Sequence, residues 1–243
     1  MIEIVGVSRN YGTKLAVDDL SLTIPAGELF VFLGPNGAGK TTTIRMLVGL
    51  LQPSSGNIYI CGYDSIADTR FANASMAYVP DEPYLYDKLT GREFLKFISE
   101  MYALSNDEST KSIEQVIELF ELHEFIDELA EKYSHGMKQR TAFAAALLHN
   151  PRVLVVDEPM VGLDPRSARL VKDLLRQRVS EGMTVFMSTH TLSAAEEIAD
   201  RIAIFDHGRI AFLGTLDQLR QRHSKGDLTL EQMYLDMTAT QKS

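Results

Sequence analysis

Residues 34–42 read Gly-Pro-Asn-Gly-Ala-Gly-Lys-Thr-Thr and carry the spacing G-x-x-x-x-G-K-[ST], with Gly34, Gly39, Lys40 and Thr41 at its fixed positions. That spacing suits a polyphosphate. The glycines remove the Cβ atoms that would block a close backbone approach, so the loop can turn its amides inward around phosphate oxygens. The Lys40 ammonium is expected to reach the outer phosphates, and the Thr41 hydroxyl to ligate Mg²⁺. A strand pattern over residues 28–33 leads into the loop and a helical pattern over residues 42–50 leads out. A helix N-terminus, with its partial positive charge, therefore faces the same ligand. The expected binding residues are Gly34, Pro35, Asn36, Gly37, Ala38, Gly39, Lys40, Thr41 and Thr42.

A second group lies far along the chain. Residues 153–158 read Val-Leu-Val-Val-Asp-Glu, an apolar strand ending in two carboxylates. Two acids at a buried strand tip are costly unless a cation or hydrogen bonds satisfy them. A Mg²⁺–nucleotide meets that need. Asp157 suits the metal, directly or through water, while Glu158 projects elsewhere and is placed to polarise an attacking water. Between the two groups, residues 133–140 read Tyr-Ser-His-Gly-Met-Lys-Gln-Arg just before an alanine-rich helical stretch, a second helix N-terminus. Gly162-Leu163-Asp164 and Ser188-Thr189-His190 follow.

The elements that must position these residues alternate. Residues 2–7 and 17–24 read as strands around a turn at Gly12, with short strands over 57–60 and 75–79 and a loop over 53–56. From residue 89 to 150 the period becomes helical. Thr90 with Glu93 forms a capping box, and Ile113, Val116, Ile117 and Phe120 share one helix face. Strands return at 153–156 and 184–188, with a helix start at Asp164-Pro165 between them. Residues 202–205 and 210–213 are expected to pair across His207-Gly208. Capping boxes are expected at Ser193/Glu196, Thr215/Gln218 and Thr229/Gln232. Alternating strands and helices predict an α/β fold built on a mostly parallel sheet with helices on both faces.

The chain has 243 residues, 45% hydrophobic, enough for one large domain with a subdomain inserted. No apolar run approaches the ~18 residues of a membrane span. The alternating start Met1-Ile2-Glu3-Ile4 has no basic flank and does not read as a signal peptide. Cys61 stands alone, so no internal disulfide forms; a cytoplasmic setting and a buried or half-buried thiol are expected. A net charge of −9 argues against electrostatic binding of bare nucleic acid. The acidic residues between 107 and 131 read as a solvated helical face.

In order and spacing, these motifs resemble the ATP-binding-cassette (ABC) ATPases, over nearly the whole chain. The resemblance implies a P-loop NTPase, RecA-like core with an N-terminal antiparallel β-subdomain and an inserted helical signature subdomain. It implies one ABC ATPase domain over 1–243: nucleotide-binding core at 1–83 and 151–225, helical subdomain at 84–150, short C-terminal helix and tail at 226–243. It implies ATP and Mg²⁺ as ligands. Residues 34–42 match the Walker A loop and 153–157 the Walker B strand, and Glu158 resembles the catalytic glutamate. Ser134 and Gly136 match the signature loop, which in this family contacts the γ-phosphate held by the opposite subunit. Asp164 resembles the D-loop aspartate, His190 the switch histidine, and Tyr11 the aromatic residue placed against adenine.

Two departures stand out. Asp81, in Val79-Pro80-Asp81-Glu82-Pro83, occupies a position the family usually gives to glutamine, and is expected to meet Mg²⁺ through water. Tyr133, His135 and Met137 replace the usual leucine, glycine and glutamine of the signature.

The resemblance further implies head-to-tail closure of two such domains, identical or not, around two ATP molecules. The leading expectation is the ATP-hydrolysing subunit of a transporter, held at the cytoplasmic face of the membrane by separate membrane-spanning permease subunits. Leu85, Leu89, Phe94 and Phe97 are candidates for an apolar dock or, for most of them, subdomain core. Residues 80–83, 133–139 and 230–235 resemble ABC-2-type exporters. The alternative is a soluble ABC ATPase acting on ribosomes or DNA. The single cassette, the lack of long coiled coils and the acidic charge weigh against it.

Overall fold

The computed structural model describes residues 1–222 and the backbone of residues 230–239, with side chains described as far as Tyr234. The chain opens with β1 (Ile2–Tyr11), β2 (Lys14–Ile24) and β3 (Leu29–Leu33), then α1 (Lys40–Leu47). Next come β4 (Ser55–Ile60), β5 (Tyr63–Asp64), α2 (Thr69–Ala74) and β6 (Met76–Val79). Three helices follow: α3 (Gly91–Met101), α4 (Asn106–Leu119) and α5 (His135–Leu147). Then come β7 (Val153–Asp157), α6 (Pro165–Ser180), β8 (Thr184–Thr189) and α7 (Leu192–Ile198). The hairpin β9 (Arg201–Asp206) and β10 (Arg209–Gly214), then α8 (Leu216–Arg222) and α9 (Leu230–Ala239), complete the described chain.

Two sheets form. One is antiparallel in the order β2-β1-β4-β5; the other has six strands in the order β10-β9-β3-β8-β7-β6, parallel except at the β10 edge. Strand alternation divides the core. Leu29, Val31 and Leu33 of β3 pack with α5, α6 and α7 on one face, while Phe30 and Phe32 face Ile44, Leu47 and the antiparallel sheet on the other. With both faces covered, the central strands must be apolar throughout, as β3, β7 and β8 largely are.

Parallel register decides where the chemistry sits. Leu33 pairs with Thr189 and Asp157 with Ser188, so β3, β7 and β8 end together. The segments leaving those ends meet on one side of the sheet, where open α/β sheets take their ligands.

Helices α3–α5 lie between β6 and β7 in the chain. The Thr90/Glu93 capping box forms, and an unanticipated one forms at Ser105/Glu108. Ile113, Val116, Ile117 and Phe120 are buried with Phe94, Leu95 and Phe143. The acidic side chains between 107 and 131 are exposed. Tyr133 is buried; its hydroxyl donates to the Phe125 carbonyl at 2.8 Å and accepts from the Gly91 amide at 3.2 Å. Asp164 caps α6 with Pro165 at the first helical position.

Several expectations need correction. The first helix starts inside the loop at Lys40 and stops at Leu47, not Leu50. Ser55 and Gly56 belong to β4 rather than to a loop, because Ser55 pairs with Ser8 of β1. The Ser193/Glu196 box is absent. Helix α7 starts behind Thr191 without a side-chain cap, and the Glu196 carboxylate is taken by Arg220 at 3.0 Å. The Thr215/Gln218 box forms at 2.9 and 3.2 Å, whereas Thr229 lies outside the described residues. Leu85 and Phe94 are core and Leu89 is half-buried, leaving Phe97 exposed beside Tyr86, with Tyr84 next to it. Cys61 is half-buried. No described helix is long and apolar enough to cross a membrane.

Candidate functional site

The loop between β3 and α1 is forced to be glycine at two points. A Cβ on Gly34 would lie 2.3 Å from the Phe205 carbonyl oxygen, and one on Gly39 would lie 2.4 Å from that of Ala16. Gly39 also has φ of 110°, a left-handed conformation that only glycine adopts freely. Helix α1 then opens with no side-chain cap, so its first-turn amides are left for an anion.

This loop walls a cavity of about 440 Å³. Pro35, Asn36, Gly37, Gly39, Lys40, Thr41 and Thr42 line it from one side, Asp157, Glu158 and Asp81 from another, and Tyr11 with Lys14 and Ala16 at the rim. Gly34 and Ala38 are buried beneath. The Tyr11 ring is exposed and lies 5.0 Å from the Arg9 guanidinium.

Glu158 is the most constrained residue of the site. Its φ is +47°, in the left-handed region that costs an L-residue roughly 1–2 kcal/mol. Its amide donates to the Ser188 carbonyl at 3.1 Å. Carboxylate oxygen Oε1 meets His190 Nδ1 at 2.8 Å and Lys40 Nζ at 3.7 Å. Oxygen Oε2 accepts from the Thr189 hydroxyl at 3.0 Å and from the His190 amide at 3.3 Å. Lys40 also donates to the Gly34 carbonyl at 2.7 Å. One residue earlier, the Ser188 hydroxyl donates to Asp157 Oδ1.

Charge is concentrated here. Burial raises the Asp157 pKa, partly offset by the Ser188 hydrogen bond, with Glu158 and Asp81 pushing the same way as burial. Asp81 is raised by burial, then by Glu158 and Glu82. Burial lowers the Lys40 pKa against the pull of Glu158 and Asp157. Three carboxylates thus face one buried lysine, with Lys14 at the rim. Among the described residues, no group of three or more His, Cys, Asp or Glu side chains closes into a metal site alone. Thr41, Asp157 and Asp81 all line the cavity and present only oxygen atoms to it. That fits Mg²⁺, which keeps waters and takes phosphate oxygens.

The second helix N-terminus stands outside this cavity. Ser134 caps α5 by accepting from the Met137 amide at 3.3 Å. Neither Ser134 nor Gly136 lines the cavity. Asp164 accepts from the Arg166 and Ser167 amides at 2.9 and 3.1 Å, and its pKa is held down by Ser167. His135 packs against Gly162 and bonds the Val161 carbonyl at 3.1 Å. Residues 134–136 and 161–164 therefore form one surface, separate within this chain from the phosphate loop.

Ser188 and Thr189 were visible in sequence only as neighbours of His190. Hydroxyls closing an apolar strand beside an acid-tipped strand were the available signal. It becomes informative only once the β7–β8 register is known.

Comparison with known proteins agrees with this geometry. Residues 17–161 match the family description "ABC transporter". The linearmycin resistance ATP-binding protein LnrL of Bacillus subtilis is 39% identical over 91% of this chain and 71% of its own length. The Nod factor export ATP-binding protein I of a Rhizobium strain is 36% identical over 91% of this chain and 73% of its own length. A solved structure of an ATP-binding subunit of an ABC transporter superposes with a TM-score of 0.92 at 31% identity, covering 98% of this chain and 99% of that one.

Proposed function

The chain belongs to the ABC transporter family and is an ATP-binding subunit of that family, and from this premise we propose that it hydrolyses ATP to power an export-type membrane transporter. The observation that carries the reading is the convergence of Lys40, Asp157 and Glu158 on the one cavity walled by the phosphate loop. Export follows the relatives, one a drug-resistance protein and another an export protein by name.

In this reading the amides of residues 36–42 hold the phosphates and Lys40 neutralises their outer charge. Tyr11 stacks on the base. Thr41, Asp157 and Asp81 would hold a Mg²⁺, which would supply charge screening of the phosphates. Glu158 polarises the attacking water. A bond forms from the water oxygen to the γ-phosphorus, Glu158 takes up the water's proton, the bond to the β-phosphate's bridging oxygen breaks, and ADP and inorganic phosphate leave. His190 reads the γ-phosphate. Positioning and charge stabilisation supply most of the rate.

Because residues 134–136 and 164 stand apart from the phosphate loop, each site needs a second subunit. We assign Ser134 and Gly136 to the γ-phosphate held by a partner cassette, with Asp164 at the same face, so that two copies close head-to-tail. We read residues 1–83 and 151–225 as nucleotide-binding core, 84–150 as helical subdomain and 226–243 as C-terminal helix and tail, of which 223–229 and 240–243 lie outside the described residues. The exposed rings of Tyr84, Tyr86 and Phe97 offer a dock for permease subunits, which hold the protein at the cytoplasmic face of the membrane.

The test is purification of tagged Glu158→Gln from detergent-solubilised cells with Mg-ATP. The expected result is a stoichiometric polytopic membrane protein. Ribosomes or DNA complexes without one would refute the transporter assignment. Asp81→Ala is expected to raise the Mg²⁺ concentration needed for half-maximal turnover; a variant matching wild type excludes a metal role for Asp81.

A further inference from the structure

We propose that Thr189 is a positioning residue for hydrolysis, whose hydroxyl pins Oε2 of Glu158 and so leaves Oε1 as the oxygen that addresses water. The inference rests on the reading of Glu158 as the group that polarises the attacking water.

The two carboxylate oxygens keep different company. Oε1 is met by His190 Nδ1 at 2.8 Å and Lys40 Nζ at 3.7 Å. Both groups end side chains with rotatable bonds, and both are assigned above to the γ-phosphate. A phosphate that draws them away frees Oε1. Oε2 has partners that cannot leave in this manner. One is the His190 amide at 3.3 Å, which is backbone. The other is the Thr189 hydroxyl at 3.0 Å.

Thr189 is built to stay. It is 3% exposed and ends β8, where it pairs with Leu33 of β3. As a β-branched residue it is stiff at χ1. Its oxygen also accepts from the Thr191 amide at 3.0 Å, so its proton is directed to the carboxylate. A hydrogen bond to an ionised acceptor is stronger than one between neutral groups. Without this anchor, only the longer bond from the His190 amide would hold Oε2 once the Lys40 and His190 side chains turned to phosphate. Near-attack geometry is sensitive to that freedom.

The experiment uses the full chain with Mg-ATP and two substitutions. Thr189→Val keeps the shape and loses the hydroxyl; Thr189→Ser keeps the hydroxyl and loses the methyl. We expect kcat in the valine variant to fall about ten- to a hundredfold while KM and ATP affinity stay within about threefold, the pattern of an interaction that matters in the transition state. The serine variant should hold kcat within about threefold of wild type. Melting curves and a crystal structure of the valine variant accompany the kinetics, and Glu158 Oε2 should leave its wild-type position there. Wild-type kcat in the valine variant overturns the proposal. Equal losses in both variants also overturn it, because they would place the effect in methyl packing. A wild-type chain that neither binds nor cleaves ATP removes the underlying reading and this inference with it, whereas normal wild-type turnover with an unaffected valine variant removes this inference alone.

Discussion

The ends of β7 and β8 and the start of α5 are built by opposite rules. At the strand ends, Asp157 and Glu158 are buried, mutually repelling, and one of them is held at positive φ. At the start of α5, Ser134 and His135 are exposed, the helix is capped by its own serine, and the nearby Asp164 is satisfied by local amides. The first region works against folding and is held by hydroxyls and a lysine. The second is ordinary helix chemistry presented to the outside. Side chains gathered into a buried cavity carry strain and repelling charge; a capped helix start on the surface is built at no such cost.

The strongest way to break this contrast is Glu158→Gln. Turnover should fall about a hundred- to ten-thousandfold, the range for removing a general base, while ATP still binds and an ATP-held dimer accumulates. Steady-state ATPase assays with size-exclusion chromatography check it, and near-wild-type rates would remove Glu158 from the chemistry.

Asp157→Asn sharpens the energetic half of the contrast. Burial raises the Asp157 pKa, so the fold favours the protonated form. That contribution to stability is fully present below the unfolded carboxylate pKa of about 4 and is lost as pH rises through the raised folded value. The asparagine variant should therefore lose turnover yet melt about 2–4 °C higher at neutral pH, a gain near 1 kcal/mol for a chain of this size. The gain should vanish toward pH 4. Thermal melts across that range decide it.

The smallest effect on turnover tests the other region. Tyr133→Phe strips the hydroxyl that joins Gly91 and Phe125. It should cost about 1–3 kcal/mol, seen as a few degrees in Tm, with kcat unchanged. A fall in kcat without a fall in Tm would mean that the start of α5 is more than helix construction.

What could be read from the sequence was local. The phosphate loop, the acid-tipped strand, the Thr90/Glu93 and Thr215/Gln218 boxes and the proline start of α6 depend on residues a few positions apart, and each forms. The failures depended on distance. Ser193/Glu196 has the spacing of a capping box, but Arg220 claims the glutamate. The strand pairing that absorbs Ser55 is made by Ser8. The hydroxyls on Asp157 and Glu158 come from a strand 31 residues further on, placed by parallel register rather than by any motif. The convergence of Asp81 on the phosphate-loop cavity follows from position at a strand end; its raised pKa follows from burial and the neighbours it meets there.

The positive φ of Glu158 has an evolutionary consequence. From either glutamate codon, glycine and glutamine are each a single nucleotide change away. Glycine relaxes the backbone, and both remove a carboxylate from the floor of the cavity. On the proposed reading of Glu158 either change silences the cassette, so only selection on turnover would hold the glutamate at this strained position. In a genome carrying duplicated copies, position 158 is where a paralogue released from hydrolysis should first record its change of occupation.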